Sequence, residues 1–373
     1  MRRLERLCDE LGAPAPELVW GDGVAYRHRV RLVVRGRVSS PKIGIFREAS
    51  HDLVDIPRCL VHHPLINEIS AAAKEAIRRT RTPPYSDAAH AGVLRSLQVV
   101  VERRSRSAQV VLVANGTSPS DLEALASALP ELLGWSLHSL WWNGNPERTN
   151  RVLGSLWHKY RGPDATEDEF GGARVFFPPD AFGQANPELA ARIVEQIHGW
   201  IPPASRVLEL YAGVGAIGLG LLARGCSLEL NEVGAGSLRG LARGLMELGL
   251  REAPAGEGDS DTVPWAATET GDLGRWATPA RVVPGPAEAV LSRLHGPDVV
   301  IVDPPRKGLG PEVCGALRAA TPERLVYLSC GLDSFEREAR ALGEAMQLER
   351  VIAYGLFPFT DHVETLASFR KRS

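Results

Sequence analysis

The chain has 373 residues, 44% of them apolar and 24% charged, with a formal net charge of −2. This is the composition of an ordinary soluble protein with room for two domains, and no apolar run is long enough to span a membrane. The five cysteines (Cys8, Cys59, Cys226, Cys314, Cys330) lie far apart without a CxxC pair, so neither a zinc site nor a disulfide framework is suggested.

The N-terminal stretch MRRLERLCDELGAP is charged and has no apolar signal core, which makes a reducing cytoplasm the expected compartment. Between Val24 and Arg106 there are about two basic residues for each acidic one, mostly arginine. That balance fits a nucleic-acid footprint, and it also fits a plain solvated basic face. YRHRVRLVVRGRVSSPKIGIFR alternates with period two, placing Arg27, Arg29 and Arg31 on one side and His28, Val30 and Leu32 on the other. The pattern predicts a hairpin with its turn at GRVSSPK. LINEISAAAKEAIRRT predicts an amphipathic helix. VLRSLQVVVERRSRSAQVVLVANG predicts two strands around a basic turn, PSDLEALASALPELLG a helix, and LHSLWWNGNP a further strand. Residues 1–178 are therefore expected to form an α+β domain with an antiparallel sheet.

From residue 179 the pattern changes. After the helix FGQANPELAARIVEQIHGWI, the apolar runs SRVLELYAG, CSLELNE, ARVVPG, DVVIVDPP and LVYLSC alternate with helices. Short apolar runs of this kind indicate a parallel sheet covered on both faces, so 179–373 is expected to be a doubly wound α/β domain. Ligands of such sheets bind at the carboxyl ends of the strands. The acidic, Gly- and Pro-rich stretch at about 251–280 is expected to be a surface insertion.

VLELYAGVGAIGLGLLARG predicts a strand, a glycine turn at Gly213 and Gly215, and a helix. A single G-x-G is a weak signal. Glu209, just before the turn, would repel a pyrophosphate, whereas Glu232 at the end of the next strand can accept ribose hydroxyls. A cationic ligand with an amino-acid moiety fits both acids, and S-adenosylmethionine is such a ligand. DVVIVDPPRKGLG closes a strand with Asp303 and two prolines that hold the chain rigid. Amino-methyltransferases usually have an aromatic residue after the prolines, but here it is Arg306. RNA cytosine-C5 enzymes carry a cysteine at that motif, and none is present. LVYLSCGLDSF ends a strand at Cys330, and by itself the stretch favours a buried inert thiol over a nucleophile.

FGQANPELA, LELYAGVGAIGL, LNEVG, DPPRKGLG, LVYLSCGLDSFERE and FPFTDHVETLASF occur in the order and spacing of the uracil-C5 RNA methyltransferases, and the chain resembles that family. The resemblance continues in the first half through YRHRVRLVV, IGIFREASHDLVDIPRCLVH and WWNGNPERTN. It implies a Rossmann-like class I methyltransferase domain behind a basic RNA-recognition domain. It also implies an enzyme that uses S-adenosylmethionine and makes 5-methyluridine in RNA; apart from the resemblance, a monomer with no membrane partner is expected. No separate β-barrel segment is read ahead of these motifs, so the chain looks most like the ribosomal RNA members, and 23S rRNA is expected ahead of tRNA. Carried over by position, Gln184 and Tyr211 contact the cofactor, Glu232 holds its ribose, and Asp303 lines the cofactor and base pocket beside Glu209, Gly213 and Gly215. Cys330 is the nucleophile and Glu364 the general base, with Asp361 and His362 as alternatives. The chemistry explains the residue types. Thiolate addition at C6 makes C5 electron-rich, and a base must then remove the C5 proton. The thiolate implies a lowered pKa at Cys330. The target base must leave its stack, with Trp141, Trp142 and Phe46 as candidate stacking groups.

Several positions depart from the family pattern. Cys59 and Cys8 cannot assemble four ligands, so no iron–sulfur cluster is expected. Gly331 replaces the usual Asn, implying a lost contact and a looser turn. Pro286 stands where an acid is common, and PFT replaces PHT at Pro358–Thr360. Two other functions compete with the enzyme: a non-catalytic RNA-binding protein that keeps the fold, and a methyltransferase for another substrate.

Overall fold

A computed structural model describes the chain except residues 49, 51, 150, 255–260, 268–278, 361 and 373. The chain opens with α1 (Arg2–Leu11) and β1 (Glu17–Trp20). It continues with β2 (Arg29–Arg37), β3 (Ser40–Phe46), β4 (Leu53–Asp55), α2 (Pro64–Thr80), β5 (Leu94–Val101) and β6 (Ala108–Ala114). Next come α3 (Glu123–Leu133), β7 (Leu137–Gly144), β8 (Leu156–Arg161), β9 (Thr166–Phe170) and β10 (Ala173–Phe177). The second half comprises α4 (Pro187–Trp200), β11 (Arg206–Leu210), β12 (Ser227–Glu232), α5 (Ala235–Glu247), β13 (Leu250–Glu252), β14 (Val263–Ala267), β15 (Ala280–Pro284) and β16 (Val299–Val302). It ends with α6 (Gly310–Ala320), β17 (Arg324–Ser329), α7 (Leu332–Gly343), β18 (Met346–Gly355) and β19 (Glu364–Lys371).

Two compact units result. One holds Met1–Gly21, Glu169–Phe176 and Glu188–Ser373, and the other holds Asp22–Asp168 and Phe177–Pro187. The larger has a ten-stranded sheet in the order β1-β18-β19-β17-β16-β11-β12-β15-β14-β13. Its centre is parallel, as the uninterrupted apolar runs predict, while β19 runs antiparallel to both β17 and β18. Residues 1–21, read above with the first domain, belong instead to this unit. Leu4, Leu7 and Cys8 share one face of α1 and are buried in the core with Leu208, Val300 and Leu325. β1 then adds to the sheet edge in parallel with β18.

Two further expectations change. Parts of the stretch expected as a surface insertion belong to the sheet: β13 at its start and β14 near its middle pair antiparallel and extend the sheet edge. Its interior, 255–260 and 268–278, lies outside the described residues. The helix expected after the glycine turn is a short 3-10 run, Leu219–Arg224. Gly218 and Gly220 explain the difference, because glycine weakens a helix and both positions need the bare backbone. A Cβ at Gly218 would lie 2.3 Å from Glu209 Oε2, and one at Gly220 would lie 2.4 Å from the Gly171 carbonyl oxygen.

The smaller unit is a seven-stranded sheet, β4-β3-β2-β5-β6-β7-β8, antiparallel except for β6–β7. Helices α2 and α3 supply Ile66, Ile69, Ile77, Leu125 and Leu129 to its core.

Candidate active site

The sheet order sets the carboxyl ends of β17, β16, β11 and β12 side by side. Those ends deliver Cys330, Asp303, the Tyr211–Gly215 turn with the buried Glu209 behind it, and Glu232. β19 brings the remaining acid. Its register pairs Ser329 with Thr365, so the next step of the ladder sets Glu364, the first residue of β19, across from Cys330. Reversal of β19 against β17 is what joins residues 34 positions apart in sequence.

The acids press on one another. Glu364 is only 4% exposed, and its Oε2 has no hydrogen-bond partner among the described residues. Burial, helped by the nearby Asp303 carboxylate and opposed by Arg306, pushes its pKa up to about 8. Burial alone raises Asp303 to about 7. Glu209 is 1% exposed and raised well above the carboxylate range, by burial first and then by Asp303 and Glu232. Its Oε2 also lacks a hydrogen-bond partner among the described residues. Buried carboxylate oxygens without donors are rare, and they cluster where a ligand supplies the missing charge or proton.

Cys330 is half-buried, and its thiol is pushed up to about 11. The causes are burial, then Glu364 and Asp303; Arg306 and the backbone act in the opposite direction without prevailing. The expectation of a lowered pKa is thus corrected. Turn amides do not outweigh two carboxylates at a partly desolvated thiol.

The glycine turn is built for close approach. Tyr211, Gly213 and Gly215 have φ of 62°, 58° and 83°. A Cβ on Gly213 would meet nothing within 4 Å, so the backbone there faces open space. Glu232 accepts hydrogen bonds from the Gly213 amide at 2.8 Å and from the Val233 amide at 2.9 Å. These bonds fix the carboxylate beside the turn and leave lone pairs for hydroxyl donors. An orphaned acid, an open glycine turn and a fixed ribose-type acceptor together fit a cationic adenosyl ligand such as S-adenosylmethionine. Gln184 belongs to the smaller unit, within Phe177–Pro187.

The sequence reading missed two supports. Gly331 does not loosen its turn. A Cβ there would lie 2.5 Å from the Arg306 carbonyl oxygen and 2.6 Å from Ser334 Oγ, so the glycine lets the 304–309 loop pack against the nucleophile turn. Glu338, 3% exposed, holds that loop from below. It accepts from Tyr327 Oη at 2.5 Å and from the Leu309 amide at 3.0 Å. The loop carries Arg306, whose charge acts on both Cys330 and Glu364. A DPPR-type loop was legible in the sequence; its contact with the cysteine turn was not.

Other expectations are corrected or narrowed. His362 is exposed, and Asp361 lies outside the described residues. Trp142, offered as a stacking group, is 2% exposed in the core of the smaller unit. Trp141 carries Lys159 over its ring at 5.7 Å, and Arg35 lies 5.5 Å from the Phe46 ring centroid. On the expected arginine face, Arg29 donates to the Ala181 carbonyl and Arg31 to Gln98 Oε1, so both are engaged within their own unit. Among the described residues, no helix is long and apolar enough to cross a membrane, and no group of three or more His, Cys, Asp or Glu could hold a metal ion.

A family model described as tRNA (uracil-5-)-methyltransferase matches residues 290–372, the part that carries Asp303, Cys330 and Glu364. An uncharacterized RNA methyltransferase of Protochlamydia amoebophila is 32% identical over 363 residues, covering 95% of this chain and 88% of its own length. One of Geobacter sulfurreducens is 30% identical over 354 residues, covering 93% and 66%. The crystal structure of Pyrococcus abyssi tRNA (uracil-54, C5)-methyltransferase in complex with S-adenosyl-L-homocysteine is similar in fold. Its TM-score is 0.76 at 22% identity, over 98% of this chain and 81% of that one.

Proposed function

The chain belongs to the S-adenosylmethionine-dependent uracil-C5 RNA methyltransferases, and from that premise we propose that it methylates C5 of a uridine through a covalent bond between Cys330 and C6. The observation that carries this reading is the register that sets Glu364 across from Cys330, with Asp303 at the adjacent strand end. Bound S-adenosylmethionine supplies an electrophilic methyl group. The protein's residues do the rest. Glu209, Asp303 and the Tyr211–Gly215 turn receive the cationic end of the ligand, and Glu232 receives the ribose.

The Cys330 thiol, at about 11, must lose its proton as it adds to C6. Against Glu364 at about 8, transfer between the two is uphill by three pKa units, or about 4 kcal/mol. A cation in the pocket lowers the cost, because it stabilises the thiolate. The adduct makes C5 the nucleophile. Glu364 passes the thiol proton on to solvent, and once C5 carries the methyl group the ionised carboxylate accepts the C5 proton through its unpartnered Oε2. Elimination then breaks the Cys330–C6 bond and restores the ring. A carboxylate at about 8 is matched to this work, since it is basic enough to take the proton near neutral pH.

We carry forward the sequence expectation of 23S rRNA ahead of tRNA as the substrate, and take the smaller unit as the RNA-recognition domain. Mass-spectrometric mapping of 5-methyluridine in rRNA and tRNA from wild-type and deletion cells tests this. Loss of one 23S rRNA site is expected. Loss confined to tRNA would overturn the substrate, and no loss in either RNA would overturn the activity.

A further inference from the structure

The tip of the β2–β3 hairpin and the C-terminal end of α2 enclose an open cleft lined by Arg37, Val38, Ser39, Arg78 and Arg81. Three of the five lining residues are arginines, and none is an acid. All three arginines are exposed. Arg78 has Glu75 at 3.5 Å, whereas Arg37 and Arg81 have no ion pair among the described residues. Elsewhere in this unit, arginines next to the cleft residues in sequence are matched. Arg35 is paired with Asp87 and Arg79 with Glu75. Guanidinium groups without an ion pair in one concavity make the local potential positive and favour an anion there.

The backbone points the same way. Arg81 caps α2 with φ 56° and ψ 30°, a left-handed conformation that favours glycine or asparagine. A basic residue in a helix's last turn is favourable, but Arg78 and Arg79 already supply that charge. Helix capping therefore does not explain an arginine at position 81. Gly36, with φ 95°, bends the strand just before Arg37, and a Cβ there would lie 2.7 Å from the Ser40 carbonyl oxygen. The kink is thus fixed at the residue that precedes the first arginine of the cleft.

We propose that this cleft is an RNA-backbone site, in which Arg37 and Arg81 each take a phosphate and Arg78 reinforces them. Fork-shaped guanidinium groups suit phosphate oxygens, and the Ser39 hydroxyl adds a neutral donor. The site rests on the reading of the chain as an RNA methyltransferase, and it lies wholly in the smaller unit. It would hold RNA without regard to sequence, adding to affinity and leaving the choice of uridine to the active site.

The test is the double variant R37A/R81G of the full chain, with R37K/R81K as the charge-preserving control. Glycine is at ease at the φ of Arg81, so R81G removes the charge without straining the cap. The probes are a fluorescent oligouridine and a 23S rRNA fragment, titrated from 0.1 to 1 M salt. With a slope of about −0.7 per phosphate contact on single strands, losing two contacts weakens binding about 25-fold at 0.1 M salt. The salt dependence becomes shallower by about 1.4, and little change remains at 1 M. The thermal midpoint and S-adenosylmethionine affinity should stay as in the unaltered protein, and the lysine pair should retain most RNA affinity. An R37A/R81G variant with unchanged affinity and salt slope overturns the site. If the unaltered protein binds neither RNA at 0.1 M salt, the RNA reading falls and the site with it, so that control separates the two failures.

Discussion

Replacing Glu364 with glutamine should make Cys330 more reactive while it stops turnover. The thiol stands at about 11 against an ordinary 9.0, so at pH 9 only about 1% is thiolate where an ordinary cysteine is about half ionised. Burial is the leading cause and persists in E364Q, as does Asp303; the Glu364 charge is the second cause and disappears. The expected gain is therefore well short of the full fifty-fold, about three- to tenfold in the rate of Cys330 alkylation at pH 9. Near pH 6 the gain should vanish, because Glu364, at about 8, is already neutral in the unaltered protein. Iodoacetamide labelling followed by peptide-resolved mass spectrometry measures this site apart from the other four cysteines. A rate in E364Q equal to or below that of the unaltered protein at pH 9, with the fold intact by circular dichroism, would refute the electrostatic coupling of the pair.

The same acids govern cofactor affinity and stability. Asp303, at about 7, must be ionised to attract a cation, so the S-adenosylmethionine Kd should weaken about tenfold between pH 8 and pH 6, and D303N should flatten the profile. A pH-independent Kd in the unaltered protein would count against Asp303 facing the ligand. Glu364 has a raised folded-state pKa, so the folded protein binds more protons than the unfolded chain between about 4.5 and 8. Stability is then lost as pH rises through that window, by up to roughly 5 kcal/mol from this group. E364Q should raise the thermal midpoint at pH 9 and leave it almost unchanged at pH 4; equal midpoints at pH 9 would contradict the burial of this charge. G331N restores the residue usual in the family but sets its Cβ 2.5 Å from the Arg306 carbonyl oxygen. The 304–309 loop must shift, at about 1–3 kcal/mol, and methyl transfer should fall at least tenfold; full activity with an unchanged thermal midpoint would show that the close packing is unimportant.

Much of the larger unit was legible because its central strands are buried on both faces and so read as unbroken apolar runs. Their ends carry the site, and Glu209, Asp303 and Cys330 stand out as polar residues that close or interrupt such runs. What escaped the sequence depends on pairing across distance. β1 is four residues long and reveals nothing until it lies against β18. Cys330 at a strand end suggests an activated thiol; its burial, together with the carboxylate that the register of β19 sets opposite, reverses the sign. Gly331 looks like the loss of an asparagine contact until the Arg306 carbonyl is found where its Cβ would be. The arginines at 29 and 31 alternate like a binding face, yet their partners, Ala181 and Gln98, lie 152 and 67 residues further on.

The central claim is a covalent bond between Cys330 and the target base, and RNA containing 5-fluorouridine tests it directly. Fluorine at C5 cannot leave as a proton does, so the adduct should persist after methyl transfer. Digestion and mass spectrometry should then find a methylated fluorouridine nucleotide on the Cys330 peptide in the unaltered protein and none in C330A. Retained 5-methyluridine synthesis by C330A on ordinary RNA, or an adduct on a different cysteine, would contradict the account.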